Sequence, residues 1–233
     1  MRKWFRTEMD KLKQMNFTDK RQYIWEYYKL HLFFIGLILF FIGYLINVWF
    51  INPPKRDYVY IAWQAQAVHP EHLNTLEDRL SIILEVPERY RISVNSYVLV
   101  GEPQMDQALV TRFFAMLHVG DIHAIMASRN EMIGSAYGGI IRPIYPVLDA
   151  LEELNPDLHD YIAKRVAVFT YSPEEDPAAA VTSAMGISLN DAPLLRELGF
   201  FTEDLYLCLI INSSHYYELA KVLVELFRAG GVE

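Results

Sequence analysis

One stretch of this chain is apolar at nearly every position, whereas the remainder follows helical or strand spacing. Residues 30–54 contain no Asp, Glu, Lys or Arg, and 15 of the 21 residues in 31–51 are Leu, Ile, Phe or Val. As a helix, 31–51 would span roughly 30 Å, the thickness of the hydrocarbon core of a bilayer. A buried core helix rarely continues this far without a charge, so the pattern predicts a transmembrane helix over 31–51.

Basic residues around the apolar stretch predict its orientation. Residues 1–30 contain eight Lys and Arg, whereas 53–82 contain three. The side richer in these residues is the cytoplasmic one, so we expect the N-terminus inside and the C-terminal part outside. Lys55 and Arg56, directly after the stretch, oppose this orientation.

A cleaved signal peptide is the alternative interpretation of the same stretch. It would need a shorter apolar core and a small-residue cleavage site, and 47–53 offers no pair of small residues. An uncleaved anchor therefore fits better. The predicted division is a cytoplasmic juxtamembrane segment 1–30, a transmembrane helix 31–51 and an extracytoplasmic domain 55–233 of a single-pass cell-membrane protein.

Two features of the predicted anchor suggest partners. Residues 16–29, with Asn16 or Thr18 as the N-cap, predict a short juxtamembrane helix whose aromatic side chains contact the lipid surface. Docking on the cytoplasmic face of a partner is the alternative. Asn47, a polar residue deep in the apolar stretch, suggests that the transmembrane helix contacts a membrane-protein partner.

The region after residue 57 alternates between short β-branched or aromatic runs and stretches of helical spacing. Predicted strands are 58–63, 91–100, 122–127, 166–171, 180–189 and 205–211. Predicted helices are 70–84, 105–119, 144–164, 192–198 and 214–227. Strands that alternate with helices of this length are typical of right-handed βαβ units, so we expect an α/β domain with a mostly parallel sheet.

The composition of the outer part narrows the function. Residues 1–30 carry a net charge of +4 and the remainder carries −12. Such an acidic domain is unsuited to nucleic acid, which is bound through Lys and Arg. The one cysteine, Cys208, excludes an intrachain disulfide and lies in an apolar run, so we interpret it as a small buried residue.

Three segments carry a resemblance to known proteins. Residues 108–127 resemble a part of type 2 extracellular solute-binding proteins: a helix ends at Gly120, and Asp121 and an apolar strand follow. The closing strand and helix at 206–227 resemble another part of the same family. Residues 21–29 resemble the segment before the membrane helix in uncharacterised single-pass membrane proteins of Gram-positive bacteria. The resemblance implies one lobe, or a reduced version, of a type 2 periplasmic-binding fold.

Candidate binding residues follow from the predicted sheet, because ligands of open parallel sheets bind beyond the carboxyl ends of the strands. The residues expected there are Gln64, Gln66, Tyr97, Ser128 and Arg129. Among them, Arg129 could hold a carboxylate, and Ser128 could donate a hydrogen bond or cap the next helix. The alternative is that all five are ordinary loop and cap residues.

No motif in the sequence indicates catalysis. His69 and His72, with Glu71 between them, lack a clear third metal ligand, and no nucleophile elbow, phosphate-binding loop or zinc-protease motif occurs. We therefore expect no enzyme activity, metal or cofactor. The expected function is binding of a small ligand or a partner protein by the outer domain; the alternative is a structural scaffold subunit of a membrane protein complex.

Overall fold

A computed structural model describes residues 15–98, 103–171 and 181–228. The chain divides into two compact units, Met1–Pro54 and Lys55–Glu233. Several predicted elements fall partly or wholly outside the described residues: 1–14 of the cytoplasmic segment, the strand end at 99–100, and 180 at the start of a strand.

The first unit contains one long helix, α1 (Phe17–Ile46), which continues into a π-helical turn at Asn47–Ile51. Asn16 is the N-cap, since its side-chain oxygen accepts a hydrogen bond from the Phe17 N–H. The residues predicted to form a short juxtamembrane helix at 16–29 are helical from Phe17, but they form the first turns of α1 and continue into the apolar segment without a break. The segment Trp25–Ile51 is long and apolar enough to cross a membrane or to be a signal sequence.

The polar side chain of Asn47 is engaged within its own chain. Its Oδ1 accepts a hydrogen bond of 3.0 Å from Asn52 Nδ2, and the Asn52 N–H donates to the Asn47 carbonyl at 2.7 Å. The π-helical turn brings these two residues together, because its hydrogen bonds join residues five positions apart. Because the Asn47 side-chain oxygen already accepts a hydrogen bond within its own chain, the argument that it contacts another membrane helix is weaker. That contact stays a prediction.

Within its described residues, the second unit is an α/β domain built on a mixed sheet of seven strands. The strands are β1 (Arg56–Trp63), β2 (Tyr90–Ser96), β3 (Ala124–Ser128), β4 (Ile141–Arg142), β5 (Val166–Tyr171), β6 (Val181–Ser188) and β7 (Leu205–Ile210). The helices are α2 (Pro70–Ile83), α3 (Pro103–Val119), α4 (Arg129–Tyr137), α5 (Tyr145–Leu154), α6 (Pro156–Ala163), α7 (Pro193–Glu197) and α8 (Tyr216–Phe227). The strand order is β2-β1-β3-β7-β6-β5, and β4 also pairs with β7.

The expectation of a mostly parallel sheet is wrong for the second half of the domain. Strand β1 pairs in parallel with β2 and β3, but β7 is antiparallel to β3, β4 and β6, and β5 is antiparallel to β6. A parallel connection needs a crossover of about a dozen residues or more. Residues 172–180 between β5 and β6 are too few for one, so these two strands pair in opposite directions.

Helices cover both faces of the sheet, and β1 is buried between them. Val59, Ile61 and Trp63 face α2, α5 and α8, whereas Tyr60 and Ala62 face the side of α3 and α4. The connection from β1 to β2 therefore runs over one face through α2, and the connection from β2 to β3 runs over the other through α3. The direction of the crossovers reverses between β1 and β3, which is where open α/β sheets form ligand crevices.

Candidate functional site

A cleft of about 430 Å³ opens beside this reversal point: Gln64 follows β1, Tyr97 and Val98 follow β2, and Glu131 belongs to α4, the helix that follows β3. Its volume lies within the range of small-molecule sites, roughly 300 to 1,000 Å³. The rest of the lining comes from α3, α4 and Ile140. The lining residues are Gln64, Tyr97, Val98, Leu109, Val110, Phe113, Phe114, Glu131, Gly134, Ser135 and Ile140.

Three aromatic rings form one side of the cleft, here called the aromatic wall. The ring of Phe113 lies 5.3 Å from that of Tyr97 and 5.6 Å from that of Phe114, in both cases edge to face. This arrangement is favoured because the positive edge of one ring meets the negative face of the next. Phe113 is buried, whereas Phe114 is half exposed.

The hydroxyl of Tyr97 is directed into the protein rather than towards a ligand. It lies 2.7 Å from the Tyr60 hydroxyl and donates to Met116 Sδ at 3.2 Å. Burial, together with the hydrogen bond to Tyr97, raises the pKa of Tyr60, so the Tyr60 phenol is neutral at physiological pH. Tyr97 therefore presents its ring to the cleft.

Three polar side chains are available to a ligand. Among the described residues, neither the Gln64 carboxamide nor the Ser135 hydroxyl takes part in a hydrogen bond, although Ser135 is only 8% exposed. Glu131 supplies a carboxylate. Glu131 and Ser135 are four residues apart on α4, which places their side chains on one side of the helix.

The start of α4 positions Glu131. Ser128 is the N-cap: its hydroxyl accepts from the Glu131 N–H, and Glu131 Oε2 accepts from the Ser128 N–H at 2.9 Å and from the Ser128 hydroxyl at 2.8 Å. Such a capping box satisfies amide donors that a helix start leaves unpaired. The Oε1 atom of Glu131 forms no hydrogen bond among the described residues.

The structure brings two of the five predicted residues into the cleft, Gln64 and Tyr97. Ser128 is the helix cap that the sequence offered as an alternative. The other two do not line the cleft: Gln66 donates from Nε2 to the Phe201 carbonyl at 2.9 Å, and the Arg129 N–H donates to Asp204 Oδ2 at 3.2 Å. The binding role of all five stays a prediction.

Sequence reasoning missed the residues that α3 and α4 contribute. A signal was present at Phe113 and Phe114, because neighbours on a helix point about 100° apart and a single buried stripe does not accommodate both. Glu131 and Ser135 carried no comparable signal. Their position depends on where α4 packs.

The histidines near the start of α2 do not gather a metal-binding set. His69 Nδ1 lies 4.0 Å from Glu71 Oε2 at an exposed position, and His72 Nδ1 lies 2.9 Å from the Leu198 carbonyl oxygen. Within the described ranges, no group of three or more His, Cys, Asp or Glu side chains could hold a metal ion.

Comparisons of the chain with protein-family models, with curated proteins and with solved structures found no match. The resemblance to type 2 solute-binding proteins therefore stays a prediction. The geometry itself defines an α/β domain with a cleft of ligand size where the crossovers reverse.

Proposed function

We propose that this chain is a membrane-anchored, non-catalytic protein whose extracytoplasmic α/β domain binds a small ligand in the cleft between α3 and α4. One observation carries the proposal: a concave, largely apolar site with a few polar groups lies at the reversal of the crossovers. This combination of position, size and lining is typical of small-molecule sites.

The anchor part of the proposal rests on α1. Its segment Trp25–Ile51 has the length and composition of a membrane span, and the excess of Lys and Arg before it favours a cytoplasmic N-terminus. An uncleaved span keeps the binding domain at the outer surface. A sensor or accessory role suits a domain that cannot diffuse away with its ligand.

A partner protein is the second candidate occupant, and exposed apolar side chains at the cleft favour it. Phe114 is 50% exposed and Val110 is 40% exposed, one turn apart on α3. A scaffold subunit of a membrane complex could bury these two side chains against a neighbouring chain.

A cleft-filling variant tests the proposed function. A Cβ atom at Gly134 meets no other atom within 4 Å, so Gly134→Leu should place its side chain in the cleft without disturbing the fold. The matched control is Ala163→Leu at an exposed position on α6. Both variants and the unmodified full chain would be purified in detergent for thermal-shift assays with amino acids, sugars, amines and metal ions.

We expect at least one of these compounds to stabilise the unmodified chain and Ala163→Leu, but not Gly134→Leu. Native mass spectrometry of the same samples would reveal copurifying small molecules or proteins. Equal stabilisation of Gly134→Leu would contradict the cleft as the site. A copurifying protein that Gly134→Leu or Phe114→Ser releases, without any small-molecule effect, would favour the scaffold.

A further inference from the structure

The chemistry of the cleft also indicates which class of ligand it selects. We propose, resting on the proposed function, that the cleft binds an amphiphilic cation: a protonated amine attached to an apolar, preferably aromatic, body.

The first argument is the sign of the charge. Of the described residues that line the cleft, Glu131 is the charged one, and it is acidic. Arg129, the residue that could have held a carboxylate, does not line the cleft, and Arg112, which influences Tyr60 electrostatically, is exposed and also lies outside the lining. An anionic ligand would meet this carboxylate with no cation among the described lining residues to offset it, whereas an ammonium group would be attracted.

The second argument is hydrogen-bonding capacity. An alkylammonium group has three N–H donors and no acceptor. The cleft offers three oxygen acceptors that the described residues leave unbonded: Glu131 Oε1, the Gln64 carboxamide oxygen and the Ser135 hydroxyl. Ser135 is only 8% exposed as a residue, but its hydroxyl is accessible from the cleft and can accept a ligand N–H.

The third argument is the aromatic wall. The rings of Tyr97, Phe113 and Phe114 pack edge to face, and ring faces attract cations through their quadrupole. The remaining apolar lining would contact the body of the ligand. The lining side chains that do this are Val98, Leu109, Val110 and Ile140.

Three probes of similar size but different charge test this inference on the full chain in nonionic detergent near neutral pH. They are phenethylamine (cationic), phenethyl alcohol (neutral) and phenylpropionate (anionic), titrated by calorimetry with protein-free micelles as the blank. Because Glu131 is exposed, its ion pair should contribute modestly, and we expect phenethylamine to bind about fivefold tighter than the alcohol. Phenylpropionate should bind more weakly than both.

Substitutions test the charge of Glu131 and the aromatic wall separately. Glu131→Gln should abolish the preference for the amine over the alcohol, and Glu153→Gln, an exposed control on α5, should not. Phe114→Leu should weaken binding of the amine more than that of the alcohol, whereas Phe201→Leu, exposed and outside the lining, should change neither. Ser128→Ala, which removes the cap but retains the carboxylate, distinguishes loss of charge from loss of helix structure.

The outcomes also distinguish this inference from the proposed function. If the alcohol or phenylpropionate binds as tightly as the amine, and Gly134→Leu abolishes that binding, the cleft is a binding site but the cationic class is wrong. If the amine binds equally well to Gly134→Leu and to Glu131→Gln, or if no probe binds, the inference fails. Ligand binding elsewhere, undisturbed by Gly134→Leu, would overturn the proposed function as well.

Discussion

His123 precedes β3, at the end of the strand opposite the cleft, and its surroundings shift its pKa. Its Nδ1 accepts a hydrogen bond of 3.0 Å from the Tyr60 N–H, and its ring stacks on that of His215 with the ring centroids 3.7 Å apart. Burial, and secondarily the neighbouring His215, lower the pKa of His123 to about 4, while Asp57 acts in the opposite direction.

This shift predicts a pH-dependent stability. Above pH 6.5, the unperturbed value, His123 is neutral in both states and contributes no pH dependence. As the pH falls from 6.5 towards 4, the unfolded chain binds a proton that the folded chain excludes, so the free energy of unfolding should fall, by on the order of 3 kcal/mol in total. Urea unfolding of the full chain at a series of pH values would measure this.

A substitution isolates the contribution of His123 from that of the carboxylates. His123→Asn retains an acceptor for the Tyr60 N–H but cannot titrate, so the pH dependence between 6.5 and 4 should become shallower. His69→Asn, at an exposed position, is the control and should leave the slope unchanged. A slope that is equal in all three chains would contradict the assignment.

At the scale of the element, α4 connects local sequence to the cleft. The Ser128 capping box determines where the helix begins, and that start places Glu131 in the first turn and Ser135 one turn later. Because α4 has nine residues, its first turn is a large part of the element.

Ser128→Ala should therefore destabilise the domain by about 1 kcal/mol, the usual cost of removing an N-cap hydroxyl. Ser128→Thr keeps the hydroxyl and should recover most of this loss. Ser214→Ala, an exposed serine outside the helix caps, is the matched control. Chemical denaturation followed by tryptophan fluorescence would report the differences, since Trp63 is fully buried; equal midpoints for Ser128→Ala and Ser214→Ala would contradict the role of the cap.

Comparison of the predicted and observed helices and strands shows where local sequence patterns were sufficient. The helix predicted at 70–84 and the strand predicted at 166–171 correspond closely to α2 (Pro70–Ile83) and β5 (Val166–Tyr171), because both follow a regular local spacing. The helix predicted at 214–227 begins at Tyr216, and His215 is the N-cap residue of α8. Helical spacing does not determine the residue at which the backbone enters the helix.

At the scale of the whole molecule, the single cysteine makes the proposed orientation across the membrane testable. Cys208 is fully buried, and burial raises the pKa of its thiol, so it should not react with a membrane-impermeant maleimide. New cysteines at Thr18 in α1 and at Asn212 after β7 occupy exposed positions in the two units.

We expect the reagent to label Asn212→Cys in intact cells and Thr18→Cys only after the membrane is permeabilised. The unmodified chain, with Cys208 alone, is the control and should remain unlabelled in both cases. Labelling of Thr18→Cys but not Asn212→Cys in intact cells would reverse the orientation. Release of a shortened chain from the membrane would instead favour a cleaved signal sequence.

The sequence by itself determined the apolar segment, most of the helices and strands, and the α/β class, because these depend on hydrophobicity and periodicity among residues close in the chain. Only the tertiary structure decided the antiparallel half of the sheet and the composition of the cleft. Gln64 and Tyr97 meet Phe114 of α3 and Ser135 of α4 because both helices pack on the same face of the sheet. Crossover direction and helix packing depend on contacts between distant segments, which local spacing does not encode.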